Sequence, residues 1–552
     1  MGNNFFLEIH KLKYAYRKQP SQWILDDIDL RILRDEFLLI CGASGSGKST
    51  LCRTFNGLIP HFYGGELRGD VFIAGVSTSQ QTVSGLFRQV GMVFQNPETQ
   101  LFNNTVEQEI VFGLESLGLS KTEIESRVSQ NAEAVHISHL LFRNPHELSG
   151  GEQQLVSIAA ILALKPQLLI LDEPYANLDH DNVRKVREIL QSIHRQGTGV
   201  VICEHRLPYT VPDVERMAVL QQGRIVMEGQ PHDLLKQHNM EPYGLELPLA
   251  THVGQKLGMD PVPLSTEDLI IAVSEASFPS ELQPLSPEPL NVDSPIVMEV
   301  ANISFAINRK AILHDISFSL RKGECLAIVG ANGAGKTVLL KHLNGLYRAS
   351  QGEVRLMGKN AESLKVSQLA RLVGIAFQNP NSQFFKLNVW DEIAAGPKAL
   401  NCYDEEWLKE LVALFHLEPL LERAPFRLSG GEKKRVAFAA ALAAKPVIFA
   451  LDEPTAGQGW YFRRALGKLL TQLRRQGQAI ILVTHDLAFA EAHAHRWLLM
   501  AEGQVVAEGT PRQIMANQEA MRSAHLEPTD AFRLFGNRET KYMNDNEWER
   551  HV

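Results

Sequence analysis

No stretch of this chain approaches the roughly 20 unbroken apolar residues that a membrane-spanning helix needs, so a bundle of such helices is excluded. The first ten residues, Met1 to His10, lack a basic patch followed by an apolar run, and no secretory signal is expected. Cysteine is scarce, with five residues at 41, 52, 203, 325 and 402 and no metal-ligand spacing among them. Cys41, Cys203 and Cys325 lie in or beside apolar runs, where a buried thiol behaves as a small hydrophobe. A reduced, cytoplasmic setting is therefore expected. Basic residues are not in excess either: the net charge is −8, which argues against a nucleic-acid surface as the main partner.

What the chain has instead is one set of motifs twice, in the same order. Gly42-Ala43-Ser44-Gly45-Ser46-Gly47-Lys48-Ser49 is answered by Gly330-Ala331-Asn332-Gly333-Ala334-Gly335-Lys336-Thr337. Leu148-Ser149-Gly150-Gly151-Glu152 is answered by Leu428-Ser429-Gly430-Gly431-Glu432. Leu171-Asp172-Glu173-Pro174 matches Leu451-Asp452-Glu453-Pro454, and Glu204-His205 matches Thr484-His485. The offset is 288 at the phosphate loop (336 − 48) and 280 for the others (452 − 172). One such loop can arise by chance, but an ordered series repeated in register cannot. Two similar domains are fused in one chain.

Short apolar runs such as Phe37–Ile40, Leu168–Leu171, Val200–Cys203, Cys325–Val329, Val447–Leu451 and Ala479–Val483 suit strands buried on both faces of a parallel sheet. Helical stretches, among them Val183–Arg195 and Arg463–Arg475, lie between them and give an α/β layer architecture. A mainly helical insert, roughly 100–147 and 383–427, interrupts each half. Residues 238–297 carry nine prolines and nine acidic residues against the single basic Lys256, which suggests a semi-extended linker in which Leu245–Leu257 could pack as an appendage. The expected division is 1–236, a linker 237–296, 297–516, and a polar, loosely ordered tail 517–552.

Each glycine-rich loop follows an apolar strand and opens a helix, so its backbone N–H groups can cradle phosphates. Lys48 and Lys336 supply positive charge to the β- and γ-phosphates; Ser49 and Thr337 offer a hydroxyl to Mg²⁺. Asp172 and Asp452 end apolar strands and can reach Mg²⁺ through water. Glu173 and Glu453 follow them, placed to polarise a water attacking in line. His205 and His485 also come just after strands, where a γ-phosphate sensor would sit. Ser149 and Ser429 start helices and so create a second anion-binding end in each half. Such an end makes most sense if it reaches the nucleotide held by the other half.

Taken together these motifs resemble an ATP-binding-cassette protein with two nucleotide-binding domains, a likeness covering over four-fifths of the chain. The resemblance implies two P-loop NTPase domains, each a mostly parallel sheet core with a helical subdomain. It implies a head-to-tail sandwich, with ATP between one phosphate loop and the opposite signature serine. The nucleotide ligands would be Tyr16, Gly42, Gly45, Gly47, Lys48, Ser49, Thr50, Gln95, Ser149, Gly151 and Asp172. In the second half they would be Gly330, Gly333, Gly335, Lys336, Thr337, Gln378, Ser429, Gly431 and Asp452. Mg²⁺ would be held by Ser49, Gln95 and Asp172, and by Thr337, Gln378 and Asp452. Glu173, Glu453, His205 and His485 would be catalytic.

The sequences Phe94-Gln95-Asn96-Pro97-Glu98-Thr99-Gln100 and Phe377-Gln378-Asn379-Pro380-Asn381-Ser382-Gln383 particularly resemble ATPases of energy-coupling-factor transporters, which import vitamins and metal ions. That likeness implies integral membrane partners, a transmembrane coupling subunit and a substrate-binding subunit, and a peripheral place on the cytoplasmic face of the membrane. The rival reading is a soluble twin-cassette ATPase acting on ribosomes or nucleic acid. It would call for a basic inter-domain segment, whereas this one is acidic. Two departures from the family pattern make the halves unequal: Tyr16, which would stack on adenine, is answered by Ile307, and Asp179 by Gly459.

Overall fold

The computed structural model describes residues 5–17, 22–176, 178–273, 285–291, 293–307, 310–536 and 541–542. It divides into two compact units, residues 1–279 and 280–552. In the first, a six-stranded sheet runs in the order Arg224–Gly229, Arg216–Gln221, Phe37–Cys41, Gly199–Glu204, Leu168–Asp172, Val90–Val93. All neighbours are parallel except the hairpin Arg216–Gln221/Arg224–Gly229 at one edge. A separate antiparallel sheet, with Phe5–Ala15 between Leu25–Leu33 and Glu66–Ile73, covers one face.

The central strands read as continuous apolar runs because both of their faces are covered. Their period of two sorts the side chains between two cores. Phe37, Leu39, Cys41, Leu169, Leu171, Val200 and Ile202 join the helical side. Leu38, Ile40, Leu168, Ile170, Val201 and Cys203 join the side beneath the antiparallel sheet. The second unit repeats this arrangement, with Cys325, Ala327, Val329, Phe449 and Leu451 facing one core and Leu326, Ile328, Ile448 and Ala450 the other. The fold is thus the expected α/β sheet with helices, made twice.

The inserts are helical subdomains: Val106–Glu115, Lys121–Ala134 and Gly150–Leu162 in the first unit, Val389–Ala399, Glu405–Leu414 and Gly430–Leu442 in the second. Thr105, Ser120, Asn388 and Asp404 cap four of these helices through side-chain oxygens, satisfying backbone donors that would otherwise be unpaired.

Two segments differ from their expected character. Residues 240–272 do not run as a semi-extended linker. Helices Leu249–Lys256 and Thr266–Ala272 pack on the first unit, and Leu245, Val262 and Leu264 enter its core. Prolines are compatible with this because Pro248 stands at a helix N-cap and the Pro263 carbonyl accepts from Thr251 at 2.7 Å. Within the rest of that linker, 274–284 and 292 lie outside the described residues. After 517, helices Gln518–Ser523 and Asp530–Phe535 form, and Ala520, Met521 and Leu526 join the second unit's core, so this stretch is ordered where a loose tail is expected. In both cases the polar composition hides a few apolar side chains, several of them in the turns beside the helices, that pack into the core.

Leu245 is fully buried. Leu245→Ala should therefore cost about 2–5 kcal/mol, read from chemical unfolding of the full chain. A change within about 0.5 kcal/mol, as for an exposed site, would mean the segment does not pack.

Candidate nucleotide sites

In both units the loop Gly-x-x-Gly-x-Gly-Lys joins a central strand to a helix, Phe37–Cys41 to Lys48–Phe55 and Cys325–Val329 to Lys336–Leu343. Gly42 and Gly330 tolerate no side chain, since a Cβ would lie 2.1 Å from the Leu220 carbonyl oxygen and 2.3 Å from that of Met500. Around Gly45 and Gly333 the space is open, as a loop that admits a ligand requires. The lysines are buried and donate to their own loop carbonyls: Lys48 to Gly42 and Ala43 at 2.8 and 3.0 Å, Lys336 to Gly330 and Ala331 at 2.6 and 2.9 Å. The Ser46 hydroxyl is buried in the loop without a protein partner. This cradle fits a polyphosphate.

The next strands deliver the acids. Ser49 donates to Asp172 at 3.0 Å, and Thr337 to Asp452 at 3.0 Å. Each pair offers oxygen donors only, which suits a hard divalent cation completed by phosphate oxygens and water; bound there, Mg²⁺ would neutralise phosphate charge. Burial, reinforced by the charge of the adjacent glutamate, pushes both aspartates up to about 6. A bound cation would favour the ionised form.

Glu173 and Glu453 both adopt a left-handed backbone with φ of 48°, a conformation that costs a non-glycine residue on the order of 1 kcal/mol. It is held by hydrogen bonds from Glu173 N to the Cys203 carbonyl and from Glu453 N to that of Val483, each 2.8 Å. Strain of this kind collects at functional sites, and the sequence gives no sign of it.

His205 Nδ1 lies 3.5 Å from Glu173, and Lys48 Nζ lies 3.9 Å away. Burial opposes the charge of Glu173, but His205 and then Lys48 outweigh it and hold the carboxyl below its usual range. In the second unit His485 Nδ1 lies 2.8 Å from Glu453. Burial again opposes charge on both partners, yet their mutual attraction raises the histidine and lowers the glutamate. Both glutamates are therefore ionised at neutral pH and able to polarise a water molecule.

The two sites differ in detail. Gln95 Nε2 donates to Glu173 at 2.5 Å, whereas Gln378 reaches its cluster through its backbone, which hydrogen-bonds Asp452. Glu204, to which the sequence assigns no role, is wholly buried and approaches His205 Nδ1 at 3.1 Å. Thr484 takes that position in the second unit and donates to Glu453 at 3.3 Å. His205 thus faces two carboxylates and His485 one. The only sequence signal was that this residue differs inside an otherwise matched motif. Lys434 was also missed. It is buried, donates to the Glu453 and Ala456 carbonyls, and is pushed down to about 8 by burial.

Tyr16 lies edge-on to Tyr14, ring centroids 4.9 Å apart, and its hydroxyl contacts Thr50 at 3.1 Å and accepts from Arg53 at 3.2 Å. It therefore stands over the first turn of the phosphate-loop helix. Ile307 is 41% exposed, and the nearby aromatic Phe305 is engaged in stacking on Tyr347. Ser149 and Ser429 are exposed N-caps, each in a capping box with Glu152 or Glu432. Gly151 and Gly431 sit in the first turn of these helices.

This is the site of a P-loop nucleotide hydrolase, built twice. A family profile described as ABC transporter matches residues 25–176 and again 313–456, more than half of the chain. A Methanosarcina mazei protein, provisionally named an ABC transporter ATP-binding protein, is 34% identical over 96% of this chain and 93% of its own length. A Bacillus subtilis protein, provisionally named the HMP/thiamine import ATP-binding protein YkoD, is 33% identical over 93% of each. Among solved structures, Clostridium perfringens cbiO1, described as part of the ABC transporter complex cbiONQ, is 30% identical. It aligns with a TM-score of 0.39 over 43% of this chain and 92% of that one. The chain belongs to the ABC transporter family and carries two of its ATP-binding domains. It is an ATPase whose hydrolysis is coupled to transport.

Asp179 caps helix His180–Arg195 by accepting from Asn182, while Gly459 starts Trp460–Arg475 with no side-chain cap. Asp179→Ala should lower stability by about 1 kcal/mol. Gly459→Asp should raise it by only a few tenths, because the backbone angles already match and a Cβ there meets nothing within 4 Å. Denaturant midpoints of the two variants against the parent chain check both.

Proposed function

We propose that the chain is the peripheral ATPase of an energy-coupling-factor importer for a vitamin, a vitamin precursor or a metal ion. It would act on the cytoplasmic face of the membrane with a transmembrane coupling subunit and a substrate-binding subunit. The observation that carries the reading is a cluster of exposed aromatics beside each Phe-Gln-Asn-Pro segment. In the first unit Phe102 and Phe112 are 60% and 55% exposed with ring centroids 4.8 Å apart, and Phe142 is 81% exposed. In the second, Phe385, Leu387 and Phe426 are 69%, 90% and 52% exposed. Phe102 and Phe385 occupy matched places in the two units, and water-facing apolar groups gathered around them are the kind of surface that a partner covers. No helix among the described residues is long and apolar enough to cross a membrane, so the solute pathway would belong to other chains. The name of the YkoD relative, an HMP/thiamine importer component, is consistent with the substrate class.

In this reading the nucleotide ligands and Mg²⁺ ligands are the residues assigned from the motifs. Glu173 and Glu453 polarise the attacking water, and His205 and His485 hold them.

Purification from membranes should bring integral subunits with the chain, and Phe102→Asp with Phe385→Asp should release it from them while ATP binding persists. Fractionation with ribosomes and without membrane proteins would overturn the importer reading. The double variant Glu173→Gln, Glu453→Gln should bind ATP yet lose hydrolysis by at least about 10²-fold, because the amide cannot accept a proton; steady-state phosphate release measures it. Tyr16→Ala should weaken ATP at the first loop by roughly 5- to 150-fold, the worth of one stacked base. Titration on Lys336→Ala, which leaves only that loop, reads this directly.

A further inference from the structure

At the amino-terminal edge of the second unit's parallel sheet, remote along every strand from the phosphate loop, lies a cavity of about 280 Å³. Its lining includes Lys322, Arg474, Arg475 and His495, closed on one side by the segment Glu288–Asn291 and Ser294. Arg474 is 91% buried, at 9% exposure, and its Nε has no partner. Its Nη1 lies 3.5 Å from the His493 carbonyl and 3.1 Å from His495 Nε2.

The second of these is not an acceptor. The Cys325 N–H donates to His495 Nδ1 at 2.9 Å, so the proton of the neutral ring sits on Nε2 and points to the Glu288 carbonyl at 3.1 Å. Burial, then the charge of Arg474, pushes His495 down to about 4, so the ring is neutral. Arg474 is thus a buried cation with one long contact for its guanidinium, an arrangement that is costly without an anion.

The matching place in the first unit is already filled from within. Position 474 corresponds to His194 and position 495 to Glu215. There the Glu215 carboxylate lies 3.4 Å from His194 and accepts from Phe37 N at 3.3 Å. The second unit has exchanged the carboxylate for a neutral ring and the histidine for a permanent cation. Among the described residues, the lining holds three cations, Lys322, Arg474 and Arg475, and one carboxylate, Glu288, which pairs with Arg475 at 2.8 Å. The carbonyl end of helix Trp460–Arg475 takes back about half a charge, so the cavity stays positive. Lys322 crosses Gly477 so closely that a Cβ there would lie 2.6 Å from its Cε and 3.4 Å from Nζ. That glycine lets the ammonium reach the cavity.

We propose that this cavity is an oxyanion site, taking inorganic phosphate or the phosphate group of a monoester between Arg474, Lys322 and Arg475. An anion there would tie the segment 288–294, which leads into the second domain, to the sheet edge.

Equilibrium dialysis of labelled inorganic phosphate against the full chain tests it. Both nucleotide loops are first saturated with a non-hydrolysable ATP analogue, whose γ-phosphate occupies those positions. One phosphate per chain should bind. Lys322→Ala and Arg474→Gln should each weaken it about tenfold, the loss expected for one charge-assisted hydrogen bond. Lys322 is exposed, so that variant carries the test if the Arg474 substitution disturbs folding. Competition by glycerol phosphate at similar concentration would identify a monoester as the ligand, and its failure free phosphate. No binding beyond the nucleotide loops, or binding that Lys322→Ala leaves unchanged, would overturn the proposal.

Discussion

A parallel sheet covered on both faces leaves its polar chemistry one place to gather, beyond the carboxyl ends of its strands. In each unit the strands carrying the phosphate loop, the aspartate–glutamate pair and the histidine are adjacent in the sheet, with strand Gly199–Glu204 or Ala479–Thr484 in the middle. Their ends are therefore one strand spacing apart, and residues far separated in sequence meet without any loop having to fold specially. The hydrogen bonds Ser49–Asp172 and Thr337–Asp452 mark that meeting point. Everything else in each site is hung from it.

Burial does the chemical tuning. The same desolvation that raises Asp172 and Asp452 also acts on Glu173 and Glu453, yet the outcome is opposite. The difference is the company each carboxylate keeps. The loop lysine acts on both, but each aspartate has a neutral hydroxyl as its hydrogen-bonding side chain, whereas each glutamate has a histidine beside it. Adjacent residues on one strand end are thereby separated into a group suited to a metal cation and a group suited to water.

The halves have diverged where a change could be absorbed. After the second Asp-Glu-Pro, Gly459 stands where the first unit has Asp179, and the side-chain cap of the following helix is lost with it. Before the histidine, Glu204 stands against Thr484: the hydroxyl accepts from Asp486 N as the carboxylate does from Arg206 N, and it adds a contact to Glu453. At the far edge of the sheet His194 and Glu215 correspond to Arg474 and His495, and there the paired carboxylate is replaced by a neutral ring beside an arginine whose Nε has no partner. Inequality between the two units is thus a set of separate local exchanges on a shared frame.

Strand identity and the presence of two nucleotide-binding domains were legible in the sequence, because each depends on local pattern: apolar runs, glycines at fixed spacing, an acid pair after a strand. The packing of 258–272 and of the helices after 517 was not, and Leu245–Leu257 was legible only as a stretch able to pack, since a few apolar side chains among prolines and charges have meaning only once a core surface is there to receive them. The left-handed glutamates, the pairing of Glu204 with His205 and the stranded charge of Arg474 belong to the tertiary structure. Glu204 and His205 are chain neighbours whose burial alone is tertiary; the others arise from groups brought together across strands, and distance and dielectric, which set their chemistry, are not properties of a sequence.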